Sequence, residues 1–344
     1  MKICVSGGGN LGHVVTAFLS LQPDVEVTLL TRSPQKWQHR ITLQMPDDTE
    51  HLCRISHITA DAGEAVPGAD YVIMCLPGFA FADEMRLISP FLSPHTVVGS
   101  VVSNTGFFFE AQKYLPSGIT LFGLQRVPFI SRTLIYGSKA HLMGSKAMLH
   151  MCVTENPEEV SKSPRKEEVR DTLQRLFATP VTLLGSIYEA SLSNSNPLLH
   201  PSRMYSMWKD WDGVRTYDSN CLFYEGWTDE ASDILLTMDR EFFQLLDALS
   251  VRKGSIATIL DYYESTDAPS LTAKLRSIKA FHGIMSPMRQ VDGGFVPDLS
   301  SRYFTEDFLL GMSMIHRLAM EHNVPAPMIN RVYEWGRRLL ALNS

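Results

Sequence analysis

Three stretches of the chain hold residues whose types and spacing could do chemistry. The first is Ser-Gly-Gly-Gly-Asn-Leu-Gly at 6–12, with Gly7, Gly9 and Gly12 in G-x-G-x-x-G spacing. It directly follows a short apolar run (2–6) and opens a helical pattern (11–21), the setting such a loop needs to cradle a dinucleotide. Gly7 permits the tight turn, Gly9 lets the backbone approach a pyrophosphate, and Gly12 allows helix to pack on strand. Asn10 and Leu11 complete the loop at the helix N-terminus, where an anion is favoured. The second stretch is Asn-Ser-Asn-Pro-Leu-Leu-His-Pro-Ser-Arg at 194–203. Pro197 and Pro201 fix φ on both sides of His200 and restrict the residues before them, so the segment reads as rigid. A histidine titrates near neutrality and can give and recover a proton at working pH. Asn194 and Asn196 stand close by. The third stretch, 297–311, places Asp307 just after Thr305, read as a helix N-cap, where the helix dipole favours an ionised carboxylate. Such a carboxylate could fix the tautomer of His200 and stabilise its imidazolium. Gly311, four residues on, would let another group approach the same face.

The elements that must position these residues follow from periodicity. The first half alternates strand-like and helix-like runs: 2–6, 25–31, 70–77, 96–102 and 119–124 read as strands, with helices near 11–21, 82–92 and 107–115 between them. Ile-Thr-Leu-Gln-Met (41–45) and 51–58 read as a hairpin around 46–48, and 126–153 as further strands. A helix (169–177) and a strand (181–185) end this half. Long helical periods dominate afterwards, at 228–249, 270–284, 305–322 and 325–342. Three open on Ser or Thr at an N-cap position and the fourth on prolines suited to a first turn. The expected architecture is an α/β Rossmann-type doubly wound sheet over 1–185, followed by an all-α domain over 186–344.

The choice of nucleotide is read at the end of the second strand. An acid there would bond the ribose 2′-hydroxyl of NAD. Thr31, Arg32 and Ser33 stand in its place, and Arg32 could pair with a 2′-phosphate, assisted by Lys36 or Arg40. NADP is therefore expected over NAD, with NAD as the alternative. Cys-Leu-Pro-Gly-Phe (75–79) ends the next buried strand, so Leu76 and Pro77 are expected to lie along the cofactor.

The chain resembles the opine dehydrogenases of the octopine/nopaline dehydrogenase type. The resemblance is carried by Gly-Gly-Gly-Asn-Leu-Gly (7–12), by 123–132, by 194–201 and by 296–311, and it spans nearly the whole length. It implies a Rossmann domain and a helical domain with the active site between them, and a His–Asp pair at His200 and Asp307. It implies that Arg302, five residues before the aspartate, holds a carboxylate, and that Gln125 and Arg126 lie near substrate and nicotinamide. Asn196 falls in the same substrate-binding set. The implied reaction is reductive condensation of an α-keto acid with the amine of an amino acid through an imine. Arg302, Arg126, Arg132 and Arg203 are candidate carboxylate forks. The aromatic-rich stretch 203–227 reads as a cover in which Trp208 and Trp211 shield the imine from water.

Two other readings stay open. A 2-hydroxyacid or ketopantoate-reductase-like dehydrogenase would reduce a keto acid without an amine and would use a lysine, for which Lys209, Lys274 and Lys279 are available. A non-catalytic NADP-binding sensor would keep the glycine loop and lose the second site. Composition narrows the partners. With 31 Lys and Arg against 37 Asp and Glu, a net charge of −6 and no dense basic stripe, no nucleic-acid footprint is present. The mixed-charge run 162–170 reads as a solvated loop entering a helix. No apolar stretch reaches the ~18 residues of a membrane span, and none of the five scattered cysteines has metal-ligand spacing. They read as reduced core thiols of a cytoplasmic protein without a signal peptide. The assembly is left open, with a homodimer as the candidate.

Overall fold

A computed structural model describes residues 1–104, 106–155 and 165–341. Residues 162–164 of the mixed-charge run and position 342 of the last expected helix lie outside them. The chain divides into two compact units, Met1–Ser193 and Asn194–Ser344. The division falls eight residues beyond the boundary read from periodicity, because the short helix Ile187–Ser191 packs on strands of the first unit.

The strands of the first unit are β1 (Lys2–Ser6), β2 (Glu26–Leu30), β3 (Arg40–Gln44), β4 (Glu50–Arg54), β5 (His57–Thr59) and β6 (Tyr71–Met74). They continue with β7 (Val97–Ser100), β8 (Thr120–Leu124), β9 (Phe129–Ile135), β10 (Lys139–Ser145), β11 (Leu149–Thr154) and β12 (Val181–Leu183). The helices are α1 (Asn10–Ser20), α2 (Ala62–Ala65), α3 (Phe81–Ile88), α4 (Phe107–Tyr114), α5 (Lys166–Phe177) and α6 (Ile187–Ser191). The main sheet runs β12-β11-β8-β7-β6-β1-β2-β5. Its six strands from β8 to β5 are parallel, and β11 turns antiparallel to β8. Every residue of β6, β7 and β8 is buried, as expected of strands covered on both faces. Burying side chains such as Val5, Leu29 and Ile73 completely stabilises the fold by roughly 1.5–3 kcal/mol each.

Two features depart from the sequence reading. The run 51–58 is not one strand of a hairpin. Its first part pairs with β3 as β4, while His57–Thr59 joins β2 in the main sheet. A second sheet, β4-β3-β10-β9, then lies against α1. Strand β10 falls within the stretch 126–153 read as strands, but its pairing with β3 was not read from the sequence. Four cysteines are buried as expected, and burial pushes the Cys53 thiol up to about 11 and those of Cys4 and Cys152 to about 12. Cys221, however, is exposed.

The second unit contains α7 (Asn196–Trp208), α8 (Asp229–Ala248), α9 (Ile259–Tyr262), α10 (Ala268–Ser277), a π-helix (Tyr303–Met312), α11 (Ser313–Glu321) and α12 (Pro327–Ala341). It is not wholly helical: β13 (Met288–Val291) and β14 (Gly294–Pro297) form one hairpin. Helix α8 is central, packing on α7, α10 and α12. Thr228 caps it through a bond from Ala231 N, as expected. Helix α10 starts earlier than its serine suggested. Asp267 is the cap, and Ser270 closes a reciprocal capping box at the third position. The N-terminus of α12 is capped by a distant residue, the buried Glu241 of α8, which accepts from Met328 N and Ile329 N at 2.9 Å each. Among the described residues no helix is long and apolar enough to cross a membrane.

Candidate functional site

His200 sits inside α7, and both prolines that bracket it lie in the same helix. Pro197 lies in the first turn, where its missing N–H costs nothing. Pro201 is within the helix, and it cannot bond the Pro197 carbonyl. Residues 197–204 are all buried, so tertiary packing holds this turn helical against the proline preference. Asn194 Oδ1 accepts from Asn196 N at 3.2 Å at the helix start.

Helix α7 packs closely on the π-helix, and Gly311 is the reason it can. A Cβ at that position would lie 2.4 Å from Pro197 Cγ. Across this contact His200 Nδ1 and Asp307 Oδ2 are 2.7 Å apart. The partners are 107 residues apart in sequence. His200 Nε2 meets the Tyr224 hydroxyl at 2.8 Å. The ring lies against Tyr303 at 4.4 Å between centroids, with Phe223 edge-on at 5.7 Å. His200 is 7% exposed, and the Asp307 side chain 17%. Thr305 is not a cap, since its hydroxyl donates to Ser301 O within the helix that begins at Tyr303. The case for an ionised Asp307 therefore rests on its bond to the imidazole rather than on the helix dipole.

The chemistry of the pair follows from its partners. An ionised carboxylate only accepts, so Nδ1 carries a proton in both ring states, and Nε2 is the nitrogen that gains and loses one. Burial, followed by the charges of Tyr303, Tyr263 and Asp307, pushes the Tyr224 phenol well above its ordinary range. Burial and Asp307 push Tyr303 upward too. Both phenols stay neutral at working pH.

In the first unit, the sheet order reverses beside β1, with β2 and β5 on one side and β6 on the other. Ligands of doubly wound sheets bind at such a switch point. Gly7, with φ +114°, follows β1, and a Cβ there would lie 2.6 Å from Cys75 O at the end of β6. Leu76 and Pro77 are thus beside the glycine loop, and Thr31 and Arg32 follow β2. A Cβ on Gly12 would lie 1.9 Å from Gly7 O, so helix and strand touch there. A Cβ on Gly9 would meet nothing within 4 Å, and the first turn of α1 has no side-chain cap. That open space, walled by free helical N–H groups, fits a dinucleotide pyrophosphate.

Residues 183–340 match the family described as NAD/NADP octopine/nopaline dehydrogenase, alpha-helical domain. Residues 3–125 match ketopantoate reductase PanE/ApbA. An opine dehydrogenase of Haliotis discus hannai is 27% identical over 99% of this chain and 90% of its own length. Octopine dehydrogenase of Mizuhopecten yessoensis is 27% identical over 98% and 89%. The chain is a homologue of the opine and octopine dehydrogenases. The fold agrees. A solved octopine dehydrogenase with NADH and pyruvate superposes with a TM-score of 0.82 at 25% identity, covering 98% of this chain and 89% of that one. Yersinopine dehydrogenase with NADP+ bound superposes with a TM-score of 0.73 at 12% identity, over 99% and 91%.

Several of this opine dehydrogenase homologue's expected site residues are engaged elsewhere. Asn10 Oδ1 accepts from Thr133 N at 2.9 Å, so its side chain ties β9 to the loop. Gln125 Nε2 donates to Glu189 O at 3.1 Å and Arg126 Nη2 to Ser193 O at 3.0 Å. Arg302 is paired with Glu306 at 2.6 Å, with 81% of its side chain exposed. Arg132 is exposed on β9. Arg203 is not a substrate fork: it is buried and donates to Phe223 O and Gly226 O. Trp208 is no lid. It is buried against Phe304, and its carbonyl accepts from Trp335 Nε1. Leu11 is partly buried against the core, and Ser33 lies beyond the end of β2.

Three neighbours escaped the sequence reading. Tyr224 and Tyr303 flank His200. Glu84 of α3 accepts from Ser6 Oγ at 2.5 Å, its carboxyl raised by burial against the opposing charge of Arg32. A Tyr-Glu-Gly-Trp run within an aromatic-rich stretch was the only signal for Tyr224.

Proposed function

We propose that this chain is an NAD(P)H-dependent oxidoreductase of the opine dehydrogenase type, acting on a CH–NH bond. It condenses an α-keto acid with the amino group of an amino acid and reduces the resulting imine to an N-(1-carboxyalkyl) amino acid. The observation that carries this is the 2.7 Å bond between His200 and Asp307 in the helical unit of a homologue of these enzymes. Attack of the amine on the keto carbon gives a carbinolamine, whose hydroxyl leaves as water only with a proton. The His200 imidazolium supplies that proton, and Asp307 stabilises the charged ring. Arg302 binds a substrate carboxylate by exchanging it for Glu306. The bound NAD(P)H supplies the hydride that reduces the imine carbon. Gly7, Gly9, Gly12 and the α1 N-terminus hold its pyrophosphate, and Leu76 and Pro77 line its path.

Thr31, Arg32 and Ser33 favour NADP over NAD, because Arg32 is exposed at the β2 terminus and no acid stands there in the sequence. The match of residues 3–125 to ketopantoate reductase supports the amine-independent reading for the first unit only. Of the three lysines that reading could use in the second unit, Lys209 is paired with Glu230 and Lys274 with Glu264, each at 2.5 Å. The test is a matrix of amino acids against pyruvate, glyoxylate and 2-oxoglutarate, run with NADPH and with NADH, and read by nucleotide oxidation and product mass. Amine-dependent oxidation with a condensed product, and a lower KM for NADPH, is the expected result. Oxidation that ignores the amine would replace this function with simple keto-acid reduction.

A further inference from the structure

Both ring nitrogens of His200 are occupied: Nδ1 by Asp307 and Nε2 by Tyr224. A histidine that protonates substrate must do so from Nε2, so the hydroxyl on that nitrogen stands in the proton's path. The loop carrying Tyr224 is pinned from several sides. Arg203 donates to the carbonyls of Phe223 and Gly226, which flank it, and Arg276 donates to Trp227 O at 2.8 Å. Phe223 N donates to Ile284 O at 2.8 Å. The Tyr224 ring itself is stacked on Phe281, with centroids 4.1 Å apart and planes at 19°. Swinging the phenol aside would break this stack within a clamped, buried loop.

The geometry points to Tyr224 as a further catalytic residue, the relay through which His200 delivers its proton to substrate. The inference rests on the acid–base role of His200 proposed above. In the step, the imidazolium Nε2–H bond breaks and its proton bonds to the phenol oxygen. At the same time the original phenol proton passes to the departing hydroxyl of the carbinolamine. The imidazolium becomes neutral imidazole, water leaves, and the phenol ends with one proton, as it began. A hydroxyl suits this place because it both donates and accepts. It accepts from the imidazolium before the step and donates to the neutral ring after it, so no buried nitrogen is orphaned in either state. The upward-shifted phenol fits a relay that never becomes a phenolate.

The test removes one oxygen. Tyr224→Phe keeps the ring stacked on Phe281. It is expected to lower the rate of amine-dependent NADPH oxidation about 10²-fold or more, the low side of a general-acid contribution, while NADPH affinity stays unchanged and the unfolding midpoint falls only modestly, because Nε2 loses its buried partner. His200→Asn should lower the rate at least as far, and the double variant no further than His200→Asn alone. A Tyr224→Phe rate within twofold of the parent, or above it, overturns the relay. Single-turnover rates of the unmodified protein in H2O–D2O mixtures decide the matter even if the variant misfolds. Two protons in flight give a curved dependence, and a straight line overturns the proposal. If His200→Asn keeps full turnover, the acid–base reading itself has failed; loss in that variant with none in Tyr224→Phe removes only the relay.

Discussion

His13 of the first unit and His200 of the second are both buried histidines on helices, each with both ring nitrogens bonded, yet they are built for opposite behaviour. His13 Nε2 accepts from Gly137 N at 2.8 Å, and Nδ1 meets Gly9 O at 2.9 Å. A backbone N–H only donates, so protonating Nε2 would set two donors against each other. Burial also holds the ring below the ordinary imidazole range. Stacked on Trp37 at 4.0 Å, this neutral ring clasps the β9–β10 turn to the glycine loop. His200 meets a carboxylate and a hydroxyl, partners that accommodate both ring states. Whether a buried histidine can carry a proton is decided by whether its partners can change roles, more than by its burial.

Substitutions that erase the difference should have graded effects. Asp307→Asn keeps a side chain of the same shape but removes the charge that stabilises the imidazolium. It should lower kcat by about 10²-fold or more with NADPH affinity retained; steady-state kinetics within threefold of the parent would end the pairing argument. Gly311→Ala attacks the packing that brings the pair together, since the new Cβ meets Pro197 at 2.4 Å. It should cost about 1–3 kcal/mol in urea unfolding and reduce turnover as α7 is displaced. The smallest effect belongs to His13. Its folded pKa lies below the unfolded value, so its contribution is fully present above about pH 6.5 and is lost as pH falls. Between pH 7.5 and 5.5 the parent should lose more stability than His13→Gln. Parallel pH dependences of the two unfolding midpoints would show that His13 is not held neutral.

How far the sequence could be read depended on the range of the interactions. The glycine cradle was legible because Gly7, Gly9 and Gly12 answer local demands: a turn at φ +114°, an open approach, and a helix–strand contact that leaves no room for a side chain. The residue types of the His200–Asp307 pair were legible too, but their surroundings were not. Thr305 looked like a cap because Ser and Thr commonly are, and only the π-helix starting at Tyr303 shows otherwise. Trp208 looked like a cover because aromatic clusters carry no period that separates a lid from a core. The second sheet on α1 was hidden because β10 has no clean alternation and pairs with β3 across a long gap in sequence.

What the sequence determined by itself was the local chemistry: a glycine-rich strand-to-helix turn, a basic residue where an acid would select NAD, and a histidine and an aspartate able to share a proton. Tertiary structure alone decided which partners those groups meet. It turned one histidine into a neutral clasp and the other into the middle of a chain from Asp307 to Tyr224. Hydrogen-bond partners 107 or 124 residues away are chosen by packing, and packing is a property of the whole fold that no local pattern encodes.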